Sequence, residues 1–177
     1  MKNIKKIAIF DFDGTLVRTQ MPEDGKVIWK NTTGNDWPHV GWWSKKESLD
    51  TNVFNQEPIL AVIEAYHNHN DCDETLMVML TGRRTHLSVE VEQILSDNDL
   101  SFDKYLYNYG GATLQNKIEQ IDKLIKEFSD VECITLFDDR FEHIPTFKDH
   151  FYGLMDSKVI ELFDIYHVDE DGNVNQI

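Results

Sequence analysis

Asp11 and Asp13 follow directly on the apolar run KKIAIF, two residues apart, with Gly14 and Thr15 behind them. A strand alternates its faces with a period of 2, so two acids at i and i+2 start on the same side, which like charges resist. A second acid pair, Asp138 and Asp139, ends another apolar run, ECITLF. If the two runs are neighbouring strands, four carboxylates gather at one sheet edge. Buried carboxylates without partners shift their pKa upward or destabilise the fold. A divalent cation resolves that conflict. Mg²⁺ prefers oxygen ligands and takes one or two carboxylates together with a substrate phosphate. Two cysteines without a CxxC pair leave no softer metal site in competition.

A carboxylate is also a nucleophile, able to form an aspartyl-phosphate. Phosphoryl transfer needs an in-line attacker, a proton donor for the leaving oxygen and cations on the equatorial oxygens. Asp11 is the candidate attacker and Asp13 the candidate donor. Thr81 and the backbone at Gly82 are placed to hold phosphate oxygens, and Lys117, near the start of a helix, to neutralise them; Lys104 and Lys123 are its rivals. Arg18, Arg83 and Arg84 are candidate phosphate clamps, whereas Arg140 is expected to pair with the acids beside it. Each of these residues also has a plainer use. Asp and Gly favour turns, acids favour helix N-termini, and a helix lysine is commonly solvated. It is their convergence that points to a site.

The elements that must position them read as alternating strands and helices. Strands are expected at 5–10, 75–80, about 104–107 and 132–137, with a last one in IELFDIYHV. Helices are expected at 57–69, 85–97, 113–128 and around 140–150, from apolar positions at helical spacing. This alternation predicts an α/β fold with a mostly parallel, Rossmann-like sheet, and ligands in such sheets bind beyond the carboxyl ends of the strands. Asp11, Asp13, Thr81, Gly82, Arg83, Asp138 and Asp139 all fall at those ends.

Residues 17–56 break the alternation. The stretch carries all four tryptophans, Trp29, Trp37, Trp42 and Trp43, and shows no clear helical or strand period. It reads as a small cap-type insertion after the first strand, within a single domain spanning 1–177. Its aromatics serve either as the insertion's own core or, for Trp42 and Trp43, as a wall for a substrate base. His39 and His143 read as packing or surface histidines.

Composition bounds the partners. The net charge is −15, which repels extended nucleic acid duplexes but tolerates a grip on one terminal phosphate. No apolar run reaches membrane-spanning length, and the short apolar start ends in aspartates, so neither a membrane anchor nor a signal peptide is expected. The sparse cysteines fit a reducing, cytoplasmic setting.

FDFDGTL, LTGR, a downstream helical lysine and LFDDR resemble, in order, the four signature motifs of the haloacid dehalogenase (HAD) superfamily of phosphohydrolases. The resemblance implies a Rossmann-like core, Asp11 as nucleophile and Asp13 as general acid/base. It also implies Mg²⁺ held by Asp11, the Asp13 backbone carbonyl and the acids Asp138 and Asp139, and an insertion that caps the site. More narrowly, DFDGTLVRT, IW, GWWSKKESL, LTGRR, TLQNK and LFDDRFEHIPTF resemble the HAD domain of Swiss-army-knife RNA repair proteins. The DDR ending is similar to the phosphatase half of polynucleotide kinase–phosphatases. No GxxxxGK[ST] loop accompanies them. The implied activity is Mg²⁺-dependent removal of a phosphate from a nucleic acid end or a nucleotide. The alternatives are a small-metabolite phosphatase and a non-catalytic metal- or partner-binding protein; the oligomeric state is not legible.

Overall fold

A computed structural model describes residues 3–177; Met1 and Lys2, within the expected single domain, lie outside them. Strands β1 (Lys6–Phe10), β2 (Thr75–Arg84), β3 (Lys104–Asn108), β4 (Cys133–Asp138), β5 (Leu162–Val168) and β6 (Val174–Gln176) form one sheet in the order β3-β2-β1-β4-β5-β6. All pairings are parallel except β5 with β6. The fold is therefore α/β with a mostly parallel sheet. The two strands that carry the acid pairs are neighbours, with Phe10 in register with Phe137. The chain leaves β1 for one edge through β2 and β3, then returns to the other side of β1 at β4. A sheet of this kind leaves a crevice where the strand order reverses, beyond the carboxyl ends of its strands.

Both faces are covered, which is why β1, β2 and β4 are nearly continuous apolar runs. Along β1, Ala8 and Phe10 face one layer and Ile7 and Ile9 the other. The first layer holds α2 (Leu60–Asn70) and α3 (Ser88–Asp97), which contribute Val62, Tyr66, Val91, Ile94 and Leu95. The second holds α4 (Thr113–Glu127) and α5 (Ile144–Asp156), with Ile121, Leu124, Phe147 and Phe151. Phe10 stacks on Phe137 and Phe137 on Tyr166, at 4.6 and 4.8 Å between ring centroids. This aromatic row ties β1, β4 and β5 together just below the acids.

The structure departs from the sequence expectations in several places. Strand two continues past 80 to Arg84, so Thr81, Gly82 and Arg83 are strand residues; pairing of Arg84 with Asn108 after a register shift extends it beyond its apolar run. The second helix begins at Leu60, because Pro58 is held beside Val17 in an isolated bridge. The expected helix near 140–150 is shifted to Ile144–Asp156, after a short 3₁₀ turn at Phe141–His143. Finally, β6 follows β5 through a turn built by the Asp169 carboxylate, which accepts from the backbone of Asp171 and Asn173.

The insertion is not irregular throughout. It contains α1 (Pro22–Thr33), opened by Pro22 with Glu23 and Asp24 in the first turn and closed by Gly34, whose N–H donates to the Lys30 carbonyl at φ +75°. Its ends are pinned to each other: Arg18 N–H donates to the Glu57 carbonyl and Ile59 N–H to that of Leu16. Inside, Trp37 lies 5.2 Å from Trp29 and 4.5 Å from Trp42, and Trp42 lies 5.5 Å from Phe54, centroid to centroid. These aromatics make a private core. Besides Trp29, Gly25 brings α1 against it, since a Cβ there would come within 2.2 Å of the Trp42 ring. Gly25→Ala is expected to destabilise this unit by about 1–3 kcal/mol, seen in urea melts followed by tryptophan fluorescence. An unchanged melt would show that the Trp42 ring yields freely.

Candidate active site

The first acid pair sits where β1 gives way to a tight turn. Asp11 N–H still donates to the Phe137 carbonyl of β4, and the chain then folds back, with Val17 N–H reaching the Phe12 carbonyl. Gly14 takes the left-handed conformation at φ +69°, and a Cβ there would come within 2.5 Å of the Asp139 carboxylate. Only glycine meets both demands. The turn sends the two acids to different partners. Asp11 accepts from Lys117 Nζ at 2.8 Å, and its other oxygen accepts from Phe12 N–H. Asp13 faces Arg83, which reaches both of its oxygens at 2.7–3.1 Å.

Lys117 is 1% exposed and bridges the two acid pairs, donating to Asp11 and, at 2.6 Å, to Asp138. Its burial depends on polar pins in the first turns of α4. Asn116 donates to the Gly110 carbonyl, and Gln120 donates to the Tyr107 carbonyl and to Asn116 Oδ1. These bonds hold the helix start over the strand ends, while the later turns bury Ile121, Leu124 and Ile125. Asp138, fully buried, also accepts from Arg140 N–H; His143 Nδ1 lies 3.9 Å from it. Asp139 uses its carbonyl to accept from His167 Nε2, yet its Oδ1 is buried with no hydrogen-bond partner.

Carboxylate oxygens of Asp11, Asp138 and Asp139 lie within 4.8 Å of one another. Burial pushes the Asp11 carboxyl up to about 6, outweighing the pull of Lys117, and the neighbouring Asp138 adds to the rise. Burial, then the charges of Asp11 and Asp138, push Asp139 to about 8. Asp11 and Asp138 in turn hold Lys117 above the usual lysine value against its burial. Three acids thus share one lysine. An all-oxygen donor set with an orphaned carboxylate oxygen and excess negative charge fits a hard divalent cation such as Mg²⁺, with Asp11, Asp138 and Asp139 as its side-chain donors.

Other expected substrate contacts find protein partners instead. Arg18 donates to the carbonyls of Glu170 and Asp171 in the β5–β6 turn, at 2.7 and 2.5 Å. Arg83 is buried on Asp13. Trp42 is 3% exposed within the insertion's core and donates to the Gln20 carbonyl, so it offers no stacking face. Trp43 is half-buried beneath the Arg83 guanidinium at 5.0 Å. Gly82 has a packing reason, since a Cβ there would meet Thr113 at 2.8 Å. Thr81 is buried beside β1, its hydroxyl accepting from Arg83 N–H. Arg140 forms no ion pair among the described residues, although its charge lowers the Asp139 carboxyl. Lys104 pairs with Glu127 and Lys123 packs on Tyr109, which leaves Lys117 as the lysine at the acids. Ser48, buried against Arg83, had no signal in the sequence. No helix is long and apolar enough to cross a membrane, among the described residues.

Comparison with known proteins gives the family and the shared fold. Residues 24–174 match the family described as "HAD domain family 1 in Swiss Army Knife RNA repair proteins"; the turn with Asp11 and Asp13 lies just ahead of the matched stretch. An uncharacterised protein of Saccharomyces cerevisiae is 22% identical over 178 residues, 85% of this chain and 38% of that protein. Two solved structures of the Pnkp1/Rnl/Hen1 RNA repair complex share the fold at 17% identity and cover 96% of this chain. Their TM-scores are 0.59 and 0.58, over 44% and 47% of the matched chain. The chain therefore spans less than half the length of these relatives.

The cluster makes a measurable demand. Lys117→Met leaves Asp11 and Asp138 without their shared cation and is expected to cost about 3–5 kcal/mol in metal-free urea melts. Millimolar Mg²⁺ is expected to raise the melting temperature of the wild type and to recover part of that loss in the variant. Asp139→Asn should shrink the wild-type rise, and an equal rise in Asp139→Asn would remove that residue from the donor set.

Proposed function

The chain belongs to HAD domain family 1 of Swiss Army Knife RNA repair proteins, and from that premise we propose that it is a Mg²⁺-dependent phosphomonoester hydrolase acting on a terminal phosphate of a nucleic acid or on a nucleotide. The observation that carries the reading is the buried triangle of Asp11, Asp138 and Lys117, with the unpartnered Asp139 oxygen beside it. A structural ion pair needs neither the third acid nor the orphaned oxygen.

Asp11 attacks phosphorus, forming the aspartyl-phosphate, while Asp13 gives a proton to the leaving oxygen. Asp13 then takes a proton from water as that water attacks the phosphoenzyme, which releases phosphate and restores both acids. Lys117, fixed on Asp11, places its charge next to the oxygens of the transferring group. Thr81 and the backbone at Gly82 border the same space from β2. Mg²⁺, held by Asp11, Asp138 and Asp139, would neutralise phosphoryl charge and orient the group for in-line attack. We read residues 17–56 as a small cap over this edge of the sheet. Its modest size leaves room for a chain end, which agrees with the RNA repair setting of the family.

Asp11→Asn is expected to lose more than about 1,000-fold in kcat with its fold intact by circular dichroism. Asp13→Asn should lose about 100- to 10,000-fold. An Asp11→Asn variant as active as wild type would sink the covalent route. Chelation with EDTA should abolish turnover, and Mg²⁺ should restore it. Substrate class is read by pairing a 3′-phosphorylated oligonucleotide with nucleotides and a panel of sugar phosphates. Turnover of sugar phosphates alone would replace the nucleic acid reading with a small-metabolite phosphatase. Absence of turnover on every phosphate, with metal binding intact, would leave a binding protein.

A further inference from the structure

We propose that the insertion sets the position of Asp13, through Arg83 as a positioning residue and Ser48 as the latch that holds it. The proposal rests on Asp13 acting as the general acid of the proposed reaction.

Arg83 is 1% exposed and commits four of its five N–H donors to protein. Nε and Nη2 grip the Asp13 carboxylate as a fork, at 2.9 and 2.7 Å. Nη1 turns the other way and enters the insertion. There it donates to the Trp43 carbonyl at 3.0 Å and to Ser48 Oγ at 2.7 Å. The Trp43 ring lies against the guanidinium plane, 5.0 Å from its carbon. Ser48 is fully buried, and its hydroxyl in turn donates to the Lys45 carbonyl at 2.7 Å. The 3₁₀ turn Lys46–Leu49 that carries it is anchored by buried Leu49 in the main core.

A phosphate clamp presents a free pair of donors to its ligand; here the pair faces Asp13 and the remaining amine is spent on the insertion. Arginine suits this task because its planar fork fixes the angle of a carboxylate as well as its distance, which a lysine does not. A general acid needs such fixing, because it must meet the leaving oxygen within hydrogen-bond reach. Asp13 itself stands on a turn, with its side chain partly open to solvent, and no other side chain donates to it among the described residues. Its aim is therefore set by Arg83. The aim of Arg83 is set by residues 43–48, which belong to neither the sheet nor its helices.

The test separates protonation of the leaving group from all other contributions. Wild type and Ser48→Ala are compared with Mg²⁺ in single turnovers that read the first phosphoryl transfer. One substrate is p-nitrophenyl phosphate, whose leaving group departs without a proton; the other is a simple alkyl phosphate, whose leaving oxygen requires one. Transfer from the alkyl ester is expected to slow about tenfold and that from the aryl ester less than about twofold. Asp13→Asn should shift the ratio in the same direction and further, and Ser48→Thr, which keeps a hydroxyl, should restore most of it. In parallel, side-chain ¹⁵N NMR of Arg83 is expected to show resolved, slowly rotating Nη groups in the wild type and averaged ones in Ser48→Ala. Equal slowing of both esters, or unchanged Arg83 signals in Ser48→Ala, would overturn the latch. If the wild type transfers phosphate from no ester, the proposed reaction fails, and with it the role given to Asp13; the NMR comparison still reports whether Ser48 holds Arg83, so the two failures stay distinct.

Discussion

The bridge from Lys117 to Asp11 and Asp138 is the constraint around which the rest of the structure is arranged. A lysine ammonium without solvent is costly, and so is each carboxylate it faces. The arrangement persists only if both acids come within hydrogen-bond reach at once. That in turn requires β1 and β4 to be adjacent and parallel, in a register that ends both strands at the same height. Phe10 and Phe137, stacked one residue before each acid, enforce that height. It also requires the start of α4 to lie directly over the strand ends, where Asn116 and Gln120 pin it to the end of β3 and the loop after it. One buried ammonium thus explains the strand order, the polar first turns of an otherwise apolar helix and the aromatic row beneath.

The same bridge resolves the clash posed by two acids at i and i+2. Strand geometry would put both side chains into one charged cluster. The turn at Gly14 ends the strand after Asp11, so Asp13 leaves for another cation on another strand. Gly14 is needed twice, once for its backbone conformation and once because Asp139 passes where its side chain would stand. The result is two acids in unlike surroundings: one buried among carboxylates and shared with a lysine, the other partly open and held by an arginine. Unlike surroundings are what the two proposed roles require.

Much of this was legible in the sequence, and what was not has physical reasons. The acid pairs, Lys117 and the core strands were readable because burial on both faces writes continuous apolar runs, and acids directly after such runs are hard to explain otherwise. The extension of β2 to Arg84 was hidden because Thr81, Gly82, Arg83 and Arg84 carry no apolar signal; their strand character comes from pairing with β3. Helix α1 was hidden because it packs through Gly25 and Trp29 rather than through a full apolar stripe. Its end signals were nonetheless present in Pro22, the acids after it, Lys30 and Gly34. The protein partners of Arg18 and Arg83 were hidden because a sequence shows a charge without its partner. Arg18 is spent on a hairpin turn formed more than 150 residues later in the chain, and Arg83 on Asp13. The tryptophans split as well: Trp42 went to the insertion's core, and Trp43 to the flank of Arg83.

The pairing of these cations bears on the electrostatics of the proposed activity. Two of the cations nearest the acids are already neutralised, Lys117 by two carboxylates and Arg83 by one, which leaves Arg140 beside Asp139. Arg18 is held by the carbonyls of the β5–β6 turn. A phosphate dianion approaching the strand ends therefore meets little free positive charge, on a chain whose net charge is −15. Side chains alone would attract it weakly. Under the proposed activity, the divalent cation that this donor set fits would help the substrate to enter as well as to react, since it adds two positive charges at the acids. A site of this kind gains little attraction for the long backbone of a nucleic acid. With the proposed cation bound, it would gain a strong, short-range attraction for one phosphate, in keeping with the proposed action on an end.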